Sequence, residues 1–295
     1  MTQILAATTE GVFGWPDEAR SLEGSEVNAL AHDGKAKHAL ADSAAVLRDD
    51  GNGWQEIAKV EDLRANCLLP ARTGLFVGTS EAQLLKDEGG RLVSLDAFET
   101  ASGRADWFTP WGGPPDVRSL AEDGGGVIYC NVHVGGILRS DDGGTTWAPT
   151  IEIRSDVHEV TTAGQMVVAA TAWGLATSTD KGSSWEFDDA GLHDTYARAV
   201  TVAGDMVVMS ASSGPRGAAS TLYRRPLNES GSFIRCGGEL PEWFSDNINT
   251  GCLAAGGETF AFGTEEGDLF LSEDSGGTFT RVADGLAPVR WVELV

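Results

Sequence analysis

One eight-residue pattern occurs three times in this chain, and it restricts the fold more than any bulk property. Ser140-Asp141-Asp142-Gly143-Gly144-Thr145-Thr146-Trp147 is matched by Ser178 to Trp185 and by Ser272 to Phe279, giving Ser-x-Asp-x-Gly-x-Ser/Thr-Trp/Phe. A shortened copy runs from Arg48 to Trp54, and a more decayed one from Lys86 to Arg91. Self-similarity of this kind marks a repeat architecture. Each residue type suits a tight hairpin: Asp accepts backbone N–H bonds, Gly takes positive φ, and the aromatic packs back on the sheet. The Asp residues of the pattern are therefore read as structural, with no catalytic part.

A second signal repeats ahead of these turns. Short strands open with an apolar–polar pair: Val27-Asn28, Leu63-Arg64, Val117-Arg118, Val157-His158, Ala197-Arg198, Ile248-Asn249 and Val289-Arg290. Second strands follow, such as Gly126 to Cys130 or Gln165 to Ala170, then a Gly-containing turn and a third strand such as Gly136 to Arg139. Short strands at this spacing predict an all-β closed fold. Seven openings predict a seven-bladed β-propeller forming one domain over 1–295. The blades are expected over 287–295 with 1–24, then 25–60, 61–99, 115–153, 155–192, 195–240 and 247–286. The segment 288–295 opens like a first strand, yet no second strand follows it, while 2–24 holds three strands without an opener. The C-terminal strand is therefore expected to close the N-terminal blade, leaving no open edge. A six-bladed ring with loose ends is the alternative.

The repeated turn resembles the Asp-box, or BNR repeat, of sialidases, sortilin-type receptors and photosystem II assembly-factor-like propellers. The resemblance implies that the turn joins the two outer strands, away from the ligand face. It also implies that first-strand openings and second-to-third-strand turns gather at one end of a central channel. Sialidase chemistry would imply an arginine triad, a tyrosine nucleophile with a glutamate partner and an aspartate acid/base. This chain has no Arg-Ile-Pro segment near its start, and its tyrosines are Tyr129, Tyr196 and Tyr223, with Tyr196 near a mouth position. Seven blades also differ from the sialidase six.

Charge narrows the partners. The net charge is −23, from 44 acidic residues against 16 Arg and 5 Lys. Such a field repels nucleic acid and anionic membranes, so neither is an expected partner. High acid content with few lysines also resembles proteins of salt-loving microbes, where salt screens self-repulsion. No stretch is apolar enough to cross a membrane and the first ten residues lack a basic leader, so a cytoplasmic location is expected. Cys67, Cys130, Cys236 and Cys252 form no CxxC pair. They read as small core residues in a reducing compartment, and no metal and no cofactor are expected.

On the propeller frame, the strand openings present Asn28, Arg64, Arg118, His158, Arg198, Asn249 and Arg290 to the channel mouth. Four arginines at one repeat position suit a carboxylate or phosphate through paired N–H bonds. The next turn supplies Glu10, Glu81, His133, Trp173, Arg216, Glu265 and Glu266. His133 with Glu10 or Glu266 is the candidate for proton transfer. Two aromatic insertions on the same face add Trp107 and Trp111 (105–115) and Trp243 (241–246) for stacking. A small-residue insertion, 212–220, reads as a mobile flap. The expected function is a non-catalytic binding propeller for an anionic small molecule, a carbohydrate or a protein segment. The alternative is a glycoside hydrolase or lyase acting on an anionic carbohydrate, which would need two opposed carboxyl groups.

Overall fold

The computed structural model describes residues 2–229 and 231–295. Seven sheets of four antiparallel strands form the ring, and the sheet nearest the C-terminal strand gains a fifth, Gly237–Gly238, paired parallel with Thr278 and Phe279. Their first strands are Val289–Leu294, Val27–His32, Ala65–Ala71, Val117–Glu122, Val157–Ala163, Val200–Ala203 and Leu253–Gly256. The C-terminal strand Val289–Leu294 pairs with Ile4–Thr8, placing Val292 opposite Ala6. The chain is a seven-bladed β-propeller. Its ring is closed by the two ends of the chain, so the six-bladed alternative does not hold. Blade 1 contains both termini; blades 2 to 7 follow in sequence order.

Burial explains why these segments form strands. The second strands Ile4–Thr8 and Ile128–Val132 are buried at every residue. Both of their faces are covered by neighbouring blades, so they read as mostly apolar runs without alternation, interrupted here by Thr8 and Asn131. The outermost strand Ala148–Pro149 is exposed. Clusters of apolar side chains fill the spaces between blades. Cys67 and Phe76 of blade 3 pack with Val117, Ile128 and Leu138 of blade 4. Two glycines permit this approach: a Cβ on Gly78 would sit 2.3 Å from Val117 Cγ1, and one on Gly263 2.4 Å from Val289 Cγ1.

All three full copies of the repeated turn connect a third strand to a fourth and share one hydrogen-bond pattern. Asp142 Oδ1 accepts the Thr146 N–H at 2.8 Å and Oδ2 accepts its hydroxyl at 2.7 Å, while Ser140 Oγ accepts the Gly144 N–H at 2.8 Å. Asp180 with Ser178 and Ser184, and Asp274 with Ser272 and Thr278, repeat it. The Ser184 hydroxyl and N–H hold Asp180 down at about 2. Burial works against Asp274, yet the Thr278 and Ser272 bonds bring it to about 2. These carboxylates are consumed by their own turns.

A bulge recurs at the start of the first strands. The ladder skips Asn28, Asn66, Arg118, His158 and Arg290 in blades 2, 3, 4, 5 and 1. A bulge frees one residue from strand pairing and re-aims its side chain. It therefore marks the position at which each blade addresses the channel. Blade 3 differs from the sequence expectation, because Asn66 occupies this position and Arg64 lies two residues before it. The apolar–polar pair Leu63-Arg64 precedes the strand, which opens instead on Ala65-Asn66.

Candidate functional site

Six of the seven repeat positions meet at one end of the channel. Asn28, Asn66, Arg118, Arg198, Asn249 and Arg290 line a cavity of about 240 Å³, joined by Asp116, Thr250 and Trp291. The arginines there differ in how they are held. Arg290 bonds Glu265 and lies 3.4 Å from Glu26, and despite burial the Glu265 bond raises its pKa. Arg198 donates to Asn249 Oδ1 at 2.8 Å and to Tyr196 Oη at 3.4 Å, with no carboxylate partner among the described residues. Arg118 has neither an ion pair nor a side-chain hydrogen bond among the described residues. Burial, and next the adjacent Arg198, lower its pKa from the usual guanidinium value. Arg118 is half-buried, so its unpaired N–H groups remain open to an acceptor that enters the cavity. Arg64 stands outside the cavity lining, mostly exposed, 3.6 Å from Asp116.

His158, the seventh repeat position, is fully buried and does not line that cavity. Its Nδ1 lies 2.6 Å from the Ala197 carbonyl, and its Nε2 faces Asp156 Oδ2 at 3.6 Å. His133 approaches the same carboxylate from blade 4, Nε2 to Oδ1 at 3.1 Å. Burial alone would raise the Asp156 pKa, but the two imidazoles outweigh it and the pKa is lowered. Burial, aided by the nearby Arg118 and His158, lowers the His133 pKa although Asp156 acts to raise it. Asp156 also borders a larger cavity of about 850 Å³ lined by Phe108, Pro110, Val134, Ile153 and Asp106. Trp111, 70% exposed, covers the His133 ring at 5.2 Å between centroids.

The aromatic insertions divide. Trp107 is buried rather than presented to a ligand, because it fills the space beside Phe98 and Trp147 and takes the Arg104 guanidinium on its face. Trp111 and Phe108, from the same insertion, remain exposed. Trp243 is partly exposed, stacked under Arg235 at 4.4 Å and beside His193. Trp173 lies against Phe187. The 212–220 insertion is tied down rather than free: Ser212 Oγ donates to Asn247 Oδ1 at 2.6 Å, and Arg198 bonds the Pro215 carbonyl. The proposed proton carriers are not assembled. Glu10 borders a narrow crevice with Arg20 and Glu23, and Glu266 accepts from Ser245 at the surface. Neither lines the mouth cavity or the larger cavity that Asp156 borders.

Sequence reasoning missed two carboxyl groups inside the channel. A second cavity of about 230 Å³ is lined by Glu159, Glu293 and Trp291. Trp291 contributes to both this cavity and the mouth, and its ring sits where a Cβ on Gly251 would fall 2.1 Å away. Burial pushes Glu159 up to about 8, although the Val200 and Gly251 N–H groups bond its two oxygens at 2.8 and 2.9 Å. Burial likewise pushes Glu293 to about 8. Glu159 thus ties blade 5 to blades 6 and 7. The signal was an acidic residue directly after an opening pair, where other blades carry Ala29, Cys67, Ser119 and Ala199. All four cysteines are buried free thiols. No helix among the described residues is long and apolar enough to cross a membrane.

No known family's sequence profile matches this chain, and no curated protein matches it in sequence. Solved structures resemble it. The designed Ika8 protein superposes with a TM-score of 0.64 at 14% identity, covering 96% of this chain and 86% of that one. YCF48 bound to a D1 peptide gives 0.59 at 17%, covering 95% and 84%. The GH74 enzyme of Niastella koreensis gives 0.65 at 17%, covering 96% of this chain and 52% of its own. At such identities the likeness establishes the propeller fold alone.

Proposed function

We propose that this chain is an Asp-box propeller that binds a carboxylate- or phosphate-bearing ligand at the channel mouth without transforming it. The single observation that carries this reading is Arg118, a half-buried guanidinium with no protein partner among the described residues, beside Arg198, whose Nε is buried and unpaired. A planar anion bridging the two would supply the missing acceptors. Asn28, Asn66 and Asn249 add neutral groups around it. The exposed Trp111 and Phe108 supply an apolar rim, which suits a protein segment or a sugar ring that carries the anion. YCF48, a neighbour in fold, has been solved with a peptide, and that favours the protein segment.

Hydrolysis of a glycosidic bond is less well served. It needs a carboxylic acid kept protonated opposite a second carboxylate. The larger cavity offers Asp106 and Asp156, but Asp156, with His133 Nε2 3.1 Å from its Oδ1, is held toward its ionised form. Calorimetric titration with inorganic phosphate, glucuronate and a short peptide bearing a free C-terminal carboxylate tests the reading. At least one of them should bind the wild type, and Arg118→Ala and Arg198→Ala should lose that binding while staying folded by circular dichroism. Undiminished binding in both variants, or no binding by any of the three, would overturn it.

A further inference from the structure

We infer that His133, Asp156 and His158 form a binding site for a divalent transition metal, with zinc as the best fit. One ligand atom from each of the three residues falls within 4.8 Å of the other two. The donor set is two imidazole nitrogens and one carboxylate oxygen, which suits a first-row divalent ion.

The tautomer of His158 supplies the decisive argument. Its Nδ1 lies 2.6 Å from the Ala197 carbonyl, which can only accept, so Nδ1 carries the hydrogen. In the neutral ring Nε2 is then a bare lone pair. That nitrogen is buried, has no hydrogen-bond partner and faces an Asp156 oxygen at 3.6 Å. Asp156 Oδ1 is also buried without a hydrogen-bond partner, with His133 Nε2 3.1 Å away. A buried lone pair opposed to a carboxylate oxygen is unfavourable unless a cation lies between them. The His158–Ala197 bond is also the kind of outer contact that orients a metal-bound imidazole.

The spacing agrees. Bonds of about 2.0–2.1 Å place neighbouring donors of a four-coordinate zinc about 3.3 Å apart. His133 Nε2 lies 3.1 Å from Oδ1 and His158 Nε2 3.6 Å from Oδ2, both near that value, and one atom from each residue lies within 4.8 Å of the other two, so a small turn of the carboxylate presents a single oxygen to an ion between the rings. Asp156 reaches its place through a left-handed backbone, φ 48°, at the entry to its strand. Its border on the larger cavity leaves one side of the site open, where water or a ligand atom would take a further coordination position. The protein ligands come from a turn in blade 4 and a strand opening in blade 5, so no sequence motif announces them.

Cobalt is the spectroscopic probe. Protein dialysed against EDTA and then titrated with Co²⁺ should develop visible absorption that saturates at one ion per chain. Equimolar Zn²⁺ should bleach it and should raise the melting temperature. Asp156→Asn keeps a residue that tolerates the left-handed backbone, and His133→Gln removes a nitrogen from the other blade. Each should weaken Co²⁺ binding by at least about tenfold and abolish the thermal response to zinc. Carboxylates scattered over this acidic surface would bind cobalt without the band of nitrogen ligation. Absence of the band in the wild type, or a band of undiminished affinity in both folded variants, would overturn the assignment. Anion binding at Arg118 is measured on the EDTA-treated protein and stands or falls separately.

Discussion

The two sides of the channel mouth use the same repeat position to opposite ends. On the side of blades 1 to 3, the side chain at the repeat position of each blade has a partner within the protein. Arg290 meets Glu265 and Glu26, Asn28 accepts from the Ser43 N–H at 2.7 Å, and Asn66 Nδ2 donates to the Val117 carbonyl at 3.2 Å. On the side of blades 4 to 6, Arg118 is unpaired, Arg198 has only neutral partners among the described residues, and His158 presents a buried lone pair. Repetition places a side chain at the mouth; its neighbours decide whether it has anything left to bind with. Counting cations along the sequence therefore overstates the positive surface. The ligand-facing side is where hydrogen bonds remain incomplete.

This contrast can be broken at several points, beginning with the largest effect. Trp107 anchors the insertion that shapes the blade 4 side, so Trp107→Ala should cost about 3–5 kcal/mol by denaturant unfolding, whereas exposed Trp111→Ala should change stability little. Similar losses in both would mean that the insertion is held otherwise.

Glu159 gives the blade 5 wall a pH dependence. Its folded-state pKa of about 8 exceeds the ordinary 4.5, so folding takes up a proton between those values. Its contribution is complete below about pH 4.5 and falls as pH rises to about 8, by up to about 1.4 kcal/mol per pH unit. Urea unfolding at pH 5.5 and 8.5 should show the loss, and Glu159→Gln should flatten part of it; Glu293 titrates in the same sense. A wild type more stable at pH 8.5 would contradict the placement of both carboxyl groups.

Binding measures the contrast directly. Arg118→Ala should weaken an anionic ligand by about 10- to 100-fold, the value of one or two charge-assisted bonds. Arg290→Ala, whose charge is already neutralised, should change affinity less than about threefold. Equal losses would erase the distinction between the two sides. The smallest effect lies farthest from the mouth. Asp142→Ala should lower the melting temperature by roughly 2–4 °C and leave binding per folded molecule intact, since its bonds stay within one turn.

Legibility followed the range of the forces involved. The turn pattern was readable because Ser140, Asp142 and Thr146 bond one another within seven residues. Blade number and ring closure followed from the count of strand openings. The blade 3 position was misread because Leu63-Arg64 imitates an opening pair, and only the pairing of Ala65 with Thr79 shows that the bulge falls on Asn66. Trp107 was misplaced because a Trp in a loop looks the same in sequence whether it meets Phe98 or solvent. His133 and His158 were each placed at the mouth but not joined, since Asp156 links them only once blades 4 and 5 stand side by side.

Local bonding and periodic apolar strands were thus enough, from the sequence alone, to specify a closed ring of seven small sheets with a polar mouth. Which arginine stays unpaired, which glutamate resists ionisation and which aromatic is buried were settled only in the folded ring. Those properties depend on contacts between residues far apart in the chain, such as Arg290 with Glu26 or Glu159 with Gly251, and on the loss of water around them.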